Sequence, residues 1–177
     1  AIFHIVAHAF LKITLFISAG AIFVTTGLSE ISTMGGLVKK MPVTSVCFTA
    51  ASIGLAGMPL MVGFISKFNI LEGAFEHSVM LAVAALLAAA LLALTYLIPV
   101  VQIFFGKESE VHVDDHGHGH HEHKGFDAAL PMLLPLTITI IIAIILGFEP
   151  NAGAHLYDMA LMAAEEITGE GGLYLAK

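Results

Sequence analysis

The sequence has no Arg, no Trp and a single Cys, and it is short of charge of either sign. Charged residues make up 12% of its 177 positions, where a soluble domain carries about 25%. A net charge of -7 with no Arg offers no basic face, which excludes a nucleic-acid binder. Cys47 alone excludes an intrachain disulfide framework and a Cys-ligated zinc or iron–sulfur centre. Ligands for haem are not evident either, so no cofactor is expected in this chain. What is present is apolar: 58% of residues are hydrophobic and the mean hydropathy is +0.92. A soluble globule of this size buries only about two thirds of its surface. It has no means of hiding so much apolar area, so an all-α integral membrane protein is expected. The chain does not open on Met, and its first residues already read as helix interior. It therefore reads as a piece of a longer chain, without a signal peptide, because no charged segment precedes the apolar run.

A bilayer crossing takes about 20 predominantly apolar residues, and four stretches qualify. The first covers residues 2–25 and is interrupted by His4, His8 and Lys12. The second, residues 43–75, is too long for one straight helix and carries Gly54, Gly57, Pro59 and Gly63. Proline removes a helical hydrogen bond and clashes with the preceding turn, so the spacing predicts a discontinuous helix broken between 57 and 63. The third and fourth cover 79–105 and 128–148. An amphipathic interfacial helix follows at 151–169, then a tail. The connections at 27–41 and 106–126 carry Lys39, Lys40, Lys107 and Lys124. The positive-inside rule places them on the cytoplasmic side.

Lys12 and Lys67 stand inside apolar stretches. An ionised side chain at the bilayer centre costs about 2.5–3.5 kcal/mol even on the lenient insertion scale, and usually marks an ion or proton pathway. His4, His8 and Lys12 are spaced i, i+4, i+8 and form one helical stripe with a rise of about 6 Å between neighbours. Imidazole titrates near neutral pH, so the stripe reads as a proton relay, against an alternative in which each His satisfies a helix–helix hydrogen bond. Lys67 follows the break, where freed backbone groups are tolerated only if protein or water satisfies them. Ser66 and Asn69 stand ready to hydrate that path. Glu72 and Glu76 lie further along, as exit acids or as an interfacial helix end. Between the third and fourth stretches stand six His, among them His116, His118, His120 and His121. They read as a solvated low-complexity loop or as a weak zinc or nickel site.

The segment His4–Ile–Val–Ala–His8–Ala–Phe–Leu–Lys12 resembles the signature helix of the antiporter-like subunits of respiratory complex I, membrane-bound hydrogenases and Mrp-type sodium/proton antiporters. Met34-Gly35-Gly36, Lys39-Lys40-Met41-Pro42, Gly57-Met58-Pro59 and Gly63-Phe64-Ile65-Ser66-Lys67 resemble that family's link, helix break and lysine. Tyr96-Leu97-Ile98-Pro99 resembles the end of its next helix, and Pro99 leans towards the Mrp D-like and hydrogenase branches.

The resemblance covers residues 1–106. It implies a bundle of about fourteen helices with inverted repeats, of which this chain would supply four transmembrane helices, the second discontinuous. Residues 1–106 would be the C-terminal part of the proton-channel module, and 107–127 its His-rich acidic loop. Residues 128–150 would be the last crossing, and 151–177 the interfacial helix and tail. His4, His8 and Lys12 would lie on the central hydrophilic axis, and Lys67 would be the terminal proton donor. Two charges about 10 Å apart interact by roughly 1.7 kcal/mol at an effective dielectric constant near 20, enough to bias a proton step.

The implied function is translocation of protons, or of sodium and protons, with no catalytic site of its own. The implied partners are other integral membrane subunits, lipid and, in the redox-driven branches, an arm of iron–sulfur subunits. The implied location is the plasma membrane of a prokaryote, in a multi-pass arrangement. A zinc or nickel transporter with a His-rich loop is the alternative, disfavoured by Lys12 and by the lack of membrane carboxylates.

Overall fold

The computed structural model describes residues 2–76, 78–107, 127–152 and 155–168. The described residues are helical, with no strand among them. Helix α1 covers Ile2–Thr26, followed by a 3-10 turn at Ile31–Thr33 and a single turn α2 at Leu37–Lys40. Helices α3 (Pro42–Ala56) and α4 (Val62–Glu76) flank the break, and α5 (Met80–Phe105), α6 (Leu130–Phe148) and α7 (Leu156–Thr168) complete the order. Helices α1, α5 and α6 are each long and apolar enough to cross a membrane. The second expected crossing, residues 43–75, falls on two 15-residue helices, α3 and α4, on either side of the break.

α1 buries Phe3, Ala7, Leu11, Leu15, Ser18 and Ile22, a three-to-four-residue stripe that packs on α3 and α6. His4, His8 and Lys12 each follow a buried residue by one position. They are therefore turned about 100° from the core face and stand along its edge. Thr139 Oγ1 on α6 accepts from Thr14 Oγ1 (2.9 Å) and donates to Leu136 O (3.0 Å), which pins α1 to α6. Ser18, Thr49, Ser52 and Thr137 return their hydroxyls to carbonyls of their own helices. That leaves few bare polar groups on helices whose outer faces are apolar. α5 is the least covered helix: Leu81 is 83% exposed, and Leu91 and Leu92 more than 60%. Such a face requires lipid or further helices around it, so the chain is an integral membrane protein.

One end of the bundle is closed by long-range capping. Pro42 sits in the first turn of α3, where its missing N–H costs nothing. The Asp127 carboxylate accepts from Val43 N (2.6 Å), Thr44 N (3.3 Å), Thr44 Oγ1 (2.6 Å) and its own neighbour Ala128 N (2.7 Å). It thus caps α3 from more than 80 residues away and favours the positive end of that helix. Gly36 N donates to Ile103 O (3.3 Å) at the same end, so the connection bearing Lys39 and Lys40 lies beside the end of α5 that precedes Lys107. Asp127→Ala is expected to lower stability by about 1–2 kcal/mol, as loss of an N-cap does. The readout is an earlier thermal transition of the solubilised complex.

Candidate functional site

The break between α3 and α4 is built from the backbone outward. Gly57 takes a left-handed conformation (φ 98°) that a side chain would oppose. Gly57 N donates to Gly54 O (3.1 Å) and Met58 N to Ile53 O (3.2 Å). These two bonds make a Schellman motif, and they satisfy two of the four carbonyls that every helix leaves open at its C-terminus. The remaining two belong to Leu55 and Ala56. Lys67 Nζ, coming back from the first turns of α4, donates to both, at 2.7 and 3.1 Å. The ammonium therefore sits at the negative end of the α3 dipole, inside the discontinuity.

Helices also approach closely at the break. A Cβ on Gly63 would fall on the carbonyl oxygen of Gly54, and one on Gly147 of α6 would lie 2.5 Å from Leu60 O and 2.7 Å from Val62 N. Backbone thus meets backbone on two sides of the break, and only glycine permits it. Pro59 lies within the non-helical stretch, exposed.

His4 joins this region from α1. Its Nδ1 lies 2.9 Å from Ser66 Oγ, and Ser66 Oγ lies 3.0 Å from Gly63 O. A serine has one proton, so Ser66 donates to Gly63 O and accepts from His4, or turns to donate to His4. Either way it is a hydroxyl able to pass a proton between two orientations. The His8 ring lies 5.9 Å from that of His4, centroid to centroid, and is exposed on the surface of this chain. Lys12, one turn further, is half-buried and makes no hydrogen bond to a described residue.

The structure thus brings His4, Ser66 and the helix break together, and continues the stripe through His8 to Lys12. It does not bring Glu72 to Lys67: Glu72 is exposed, and the lysine donors point to α3. Glu76 is the last residue of α4. His116, His118, His120 and His121, the tail at 169–177 and most of the His-rich loop lie outside the described residues. Among the described residues no three His, Cys, Asp or Glu gather as a metal site.

Two features went unread in the sequence. Asn69 Nδ2 on α4 donates to the Tyr157 hydroxyl on α7 (3.2 Å), and the Tyr157 ring meets Phe3 edge to face at 5.4 Å. Asn151 and Asp158 fasten the start of α7 by two hydrogen bonds, 2.9 and 3.1 Å. Tyr157 lies in an ordinary amphipathic pattern, so only its spatial neighbours mark it.

Residues 1–93 match the family described as NADH:quinone oxidoreductase/Mrp antiporter, TM. The chain is 32% identical to the D subunit of the Na(+)/H(+) antiporter of Alkalihalophilus pseudofirmus, over 94% of its own length and 31% of that protein's. It is 32% identical to the L subunit of the NADH-quinone oxidoreductase of Escherichia coli, over 99% of this chain and 29% of that one. With the L subunit of the Rickettsia typhi oxidoreductase the identity is 38%, over 67% of this chain and 18% of the relative. The chain therefore spans less than a third of each of these relatives. The matched residues include the His4–Lys12 stripe, both sides of the break and Lys67, the same positions that carried the resemblance in the sequence. This chain belongs to the NADH:quinone oxidoreductase/Mrp antiporter transmembrane family.

Proposed function

We propose that this chain moves protons across the plasma membrane of a prokaryote as part of a larger antiporter-like subunit. That subunit works among other integral membrane subunits, in a complex I-like oxidoreductase, a hydrogenase or an Mrp-type antiporter. On this reading α1, the α3–α4 pair, α5 and α6 make four crossings of a bundle of about fourteen helices. The end bearing Lys39, Lys40 and Lys107 faces the cytoplasm. The observation that carries the reading is the Lys67 ammonium on the open carbonyls of α3 within a broken helix. Broken helices place ion sites near mid-membrane, because their freed backbone groups and dipole ends hold charge there.

Lys12 and the two imidazoles lie along the edge of the α1 core face. Charge on Lys12 raises the cost of charge on Lys67 and so favours release of the Lys67 proton. His4, through Ser66, offers that region a proton-carrying side chain. The chain itself binds no redox group in this scheme. An iron–sulfur arm or an opposing sodium gradient would supply the energy, according to the complex.

The test is proton uptake by vesicles reconstituted with the native complex. Lys67→Ala should abolish uptake while leaving subunit composition unchanged. Full uptake by that variant would sink the reading. Intact-mass analysis of the same preparation separates the branches. Iron–sulfur or nickel subunits would mark a redox-driven pump, and small hydrophobic subunits alone an ion-driven antiporter. Nothing observed favours a zinc or nickel transporter.

A further inference from the structure

Beneath α7, at the end of the bundle opposite Lys39 and Lys40, lies a cavity of about 160 Å³ between α1, α4 and α7. Four of its lining side chains are polar: His4, Ser66, Asn69 and Tyr157. A buried water needs only about 10–15 Å³ of such volume and two to four polar partners, so the cavity has room and partners for several. Its hydrogen bonds leave protons to spare. The Tyr157 oxygen accepts from Asn69 Nδ2, which leaves the phenolic hydrogen free to point into the cavity. His4 engages Ser66 through Nδ1, which leaves Nε2 unengaged among the described residues. Ser66 reaches the same cavity from the turn of α4 that carries Lys67. The neighbouring apolar space beside Lys67, lined by Phe64, Phe68, Leu71 and Leu87, offers a proton no such partners.

We propose that this cavity is the hydrated outlet of the proton path, in which Tyr157 of α7 takes up the proton that His4 and Ser66 deliver and passes it on through water. The step is a hydroxyl relay. Tyr157 accepts a proton at its oxygen from a cavity water that has just received one from His4 or Ser66, as its own phenolic proton leaves to the next water, so both Tyr157 and the donor water are neutral afterwards. The outlet would thus run under α7, and Glu72 and Glu76 would have no part in it. This inference rests on the proton-translocation reading above.

The experiment is proton uptake by vesicles carrying the native complex with Tyr157→Phe, with Lys67→Ala as reference. Phenylalanine keeps the edge-to-face packing on Phe3 and removes only the oxygen. Tyr157→Phe should cut the initial rate roughly ten-fold, at the low end of what a positioned proton-transfer group contributes. It should also raise the solvent deuterium isotope effect on uptake. A slower rate with an unchanged isotope effect would assign Tyr157 to packing and overturn the inference, as would an unchanged rate. If Tyr157→Phe fails to assemble, Asn69→Leu tests the same outlet from α4 with the same two readouts. Lys67→Ala dead beside a fully active Tyr157→Phe would remove this outlet alone. Full activity of both would remove the translocation reading itself.

Discussion

Gly63→Ala is expected to disrupt the helix break severely. The added Cβ would fall on the Gly54 carbonyl oxygen, with Gly54 C at 3.0 Å and Leu11 Cδ1 at 3.3 Å. Leu11 can turn aside, but the carbonyl cannot. Gly54 O accepts from Gly57 N in the motif that ends α3, so displacing it loosens the cap that also positions the Lys67 partners. Overpacking a core typically costs about 1–3 kcal/mol, and a backbone neighbour puts this site at the upper end of that range. Gly73, on the same helix α4, is the control, because a Cβ there meets nothing within 4 Å. Gly73→Ala should be neutral or stabilise by up to about 1 kcal/mol through helix propensity. Thermal unfolding of the solubilised complex, with the assembled fraction on a native gel, measures both. Equal stability of Gly63→Ala and the parent would mean that α3 and α4 do not meet at Gly54 and Gly63.

Lys67→Arg and Lys67→Met should separate the capping role of Lys67 from the proton-carrying role proposed for it. As a cap, it satisfies Leu55 O and Ala56 O. In the proposed carrier role, it would have to give up its proton. Arginine keeps the charge and the donors, but it does not deprotonate in proteins. The space of about 120 Å³ beside Lys67 leaves room for the larger head group. Lys67→Arg is therefore expected to assemble with stability within about 1 kcal/mol of the parent, in keeping with a retained hydrogen-bonding cap, and yet to show no proton uptake. Methionine keeps the length and loses every donor. It leaves two carbonyls open, one of them buried, and should cost about 1–3 kcal/mol as well as uptake. Proton uptake at the parent rate by Lys67→Arg would reduce Lys67 to a structural cap.

The helices were legible because composition and periodicity act locally. The stretch read as 2–25 is a helix over Ile2–Thr26, and that read as 79–105 is one over Met80–Phe105. The break read between 57 and 63 falls between Ala56 and Val62. Gly57 and Pro59 announced it because each bears on the backbone at its own position, whereas Gly63, inside α4, is required by the approach of Gly54. The His4–His8–Lys12 stripe was legible for a similar reason: helical pitch alone sets which side chains share a face.

Other parts of the site depend on contacts between segments far apart in the chain. Gly147 looks like any small residue of an apolar helix until Leu60 and Val62 are found against it. Nothing in the spacing of Lys67 shows that its ammonium turns back to the open carbonyls of α3.

By itself, the sequence determined that this is a membrane chain of apolar helices, with a break in its second long apolar stretch and ionisable residues within those stretches. Burial cost and backbone geometry settle those features within a few turns of the residue concerned. Only the tertiary structure decided that Lys67 closes the end of α3, that His4 meets Ser66 across 62 residues, that Asp127 caps α3, and that Tyr157 stands over a polar cavity. A hydrogen bond is a matter of a few tenths of an ångström between groups on different helices. Periodicity tells which face a residue occupies, and packing alone tells what that face meets.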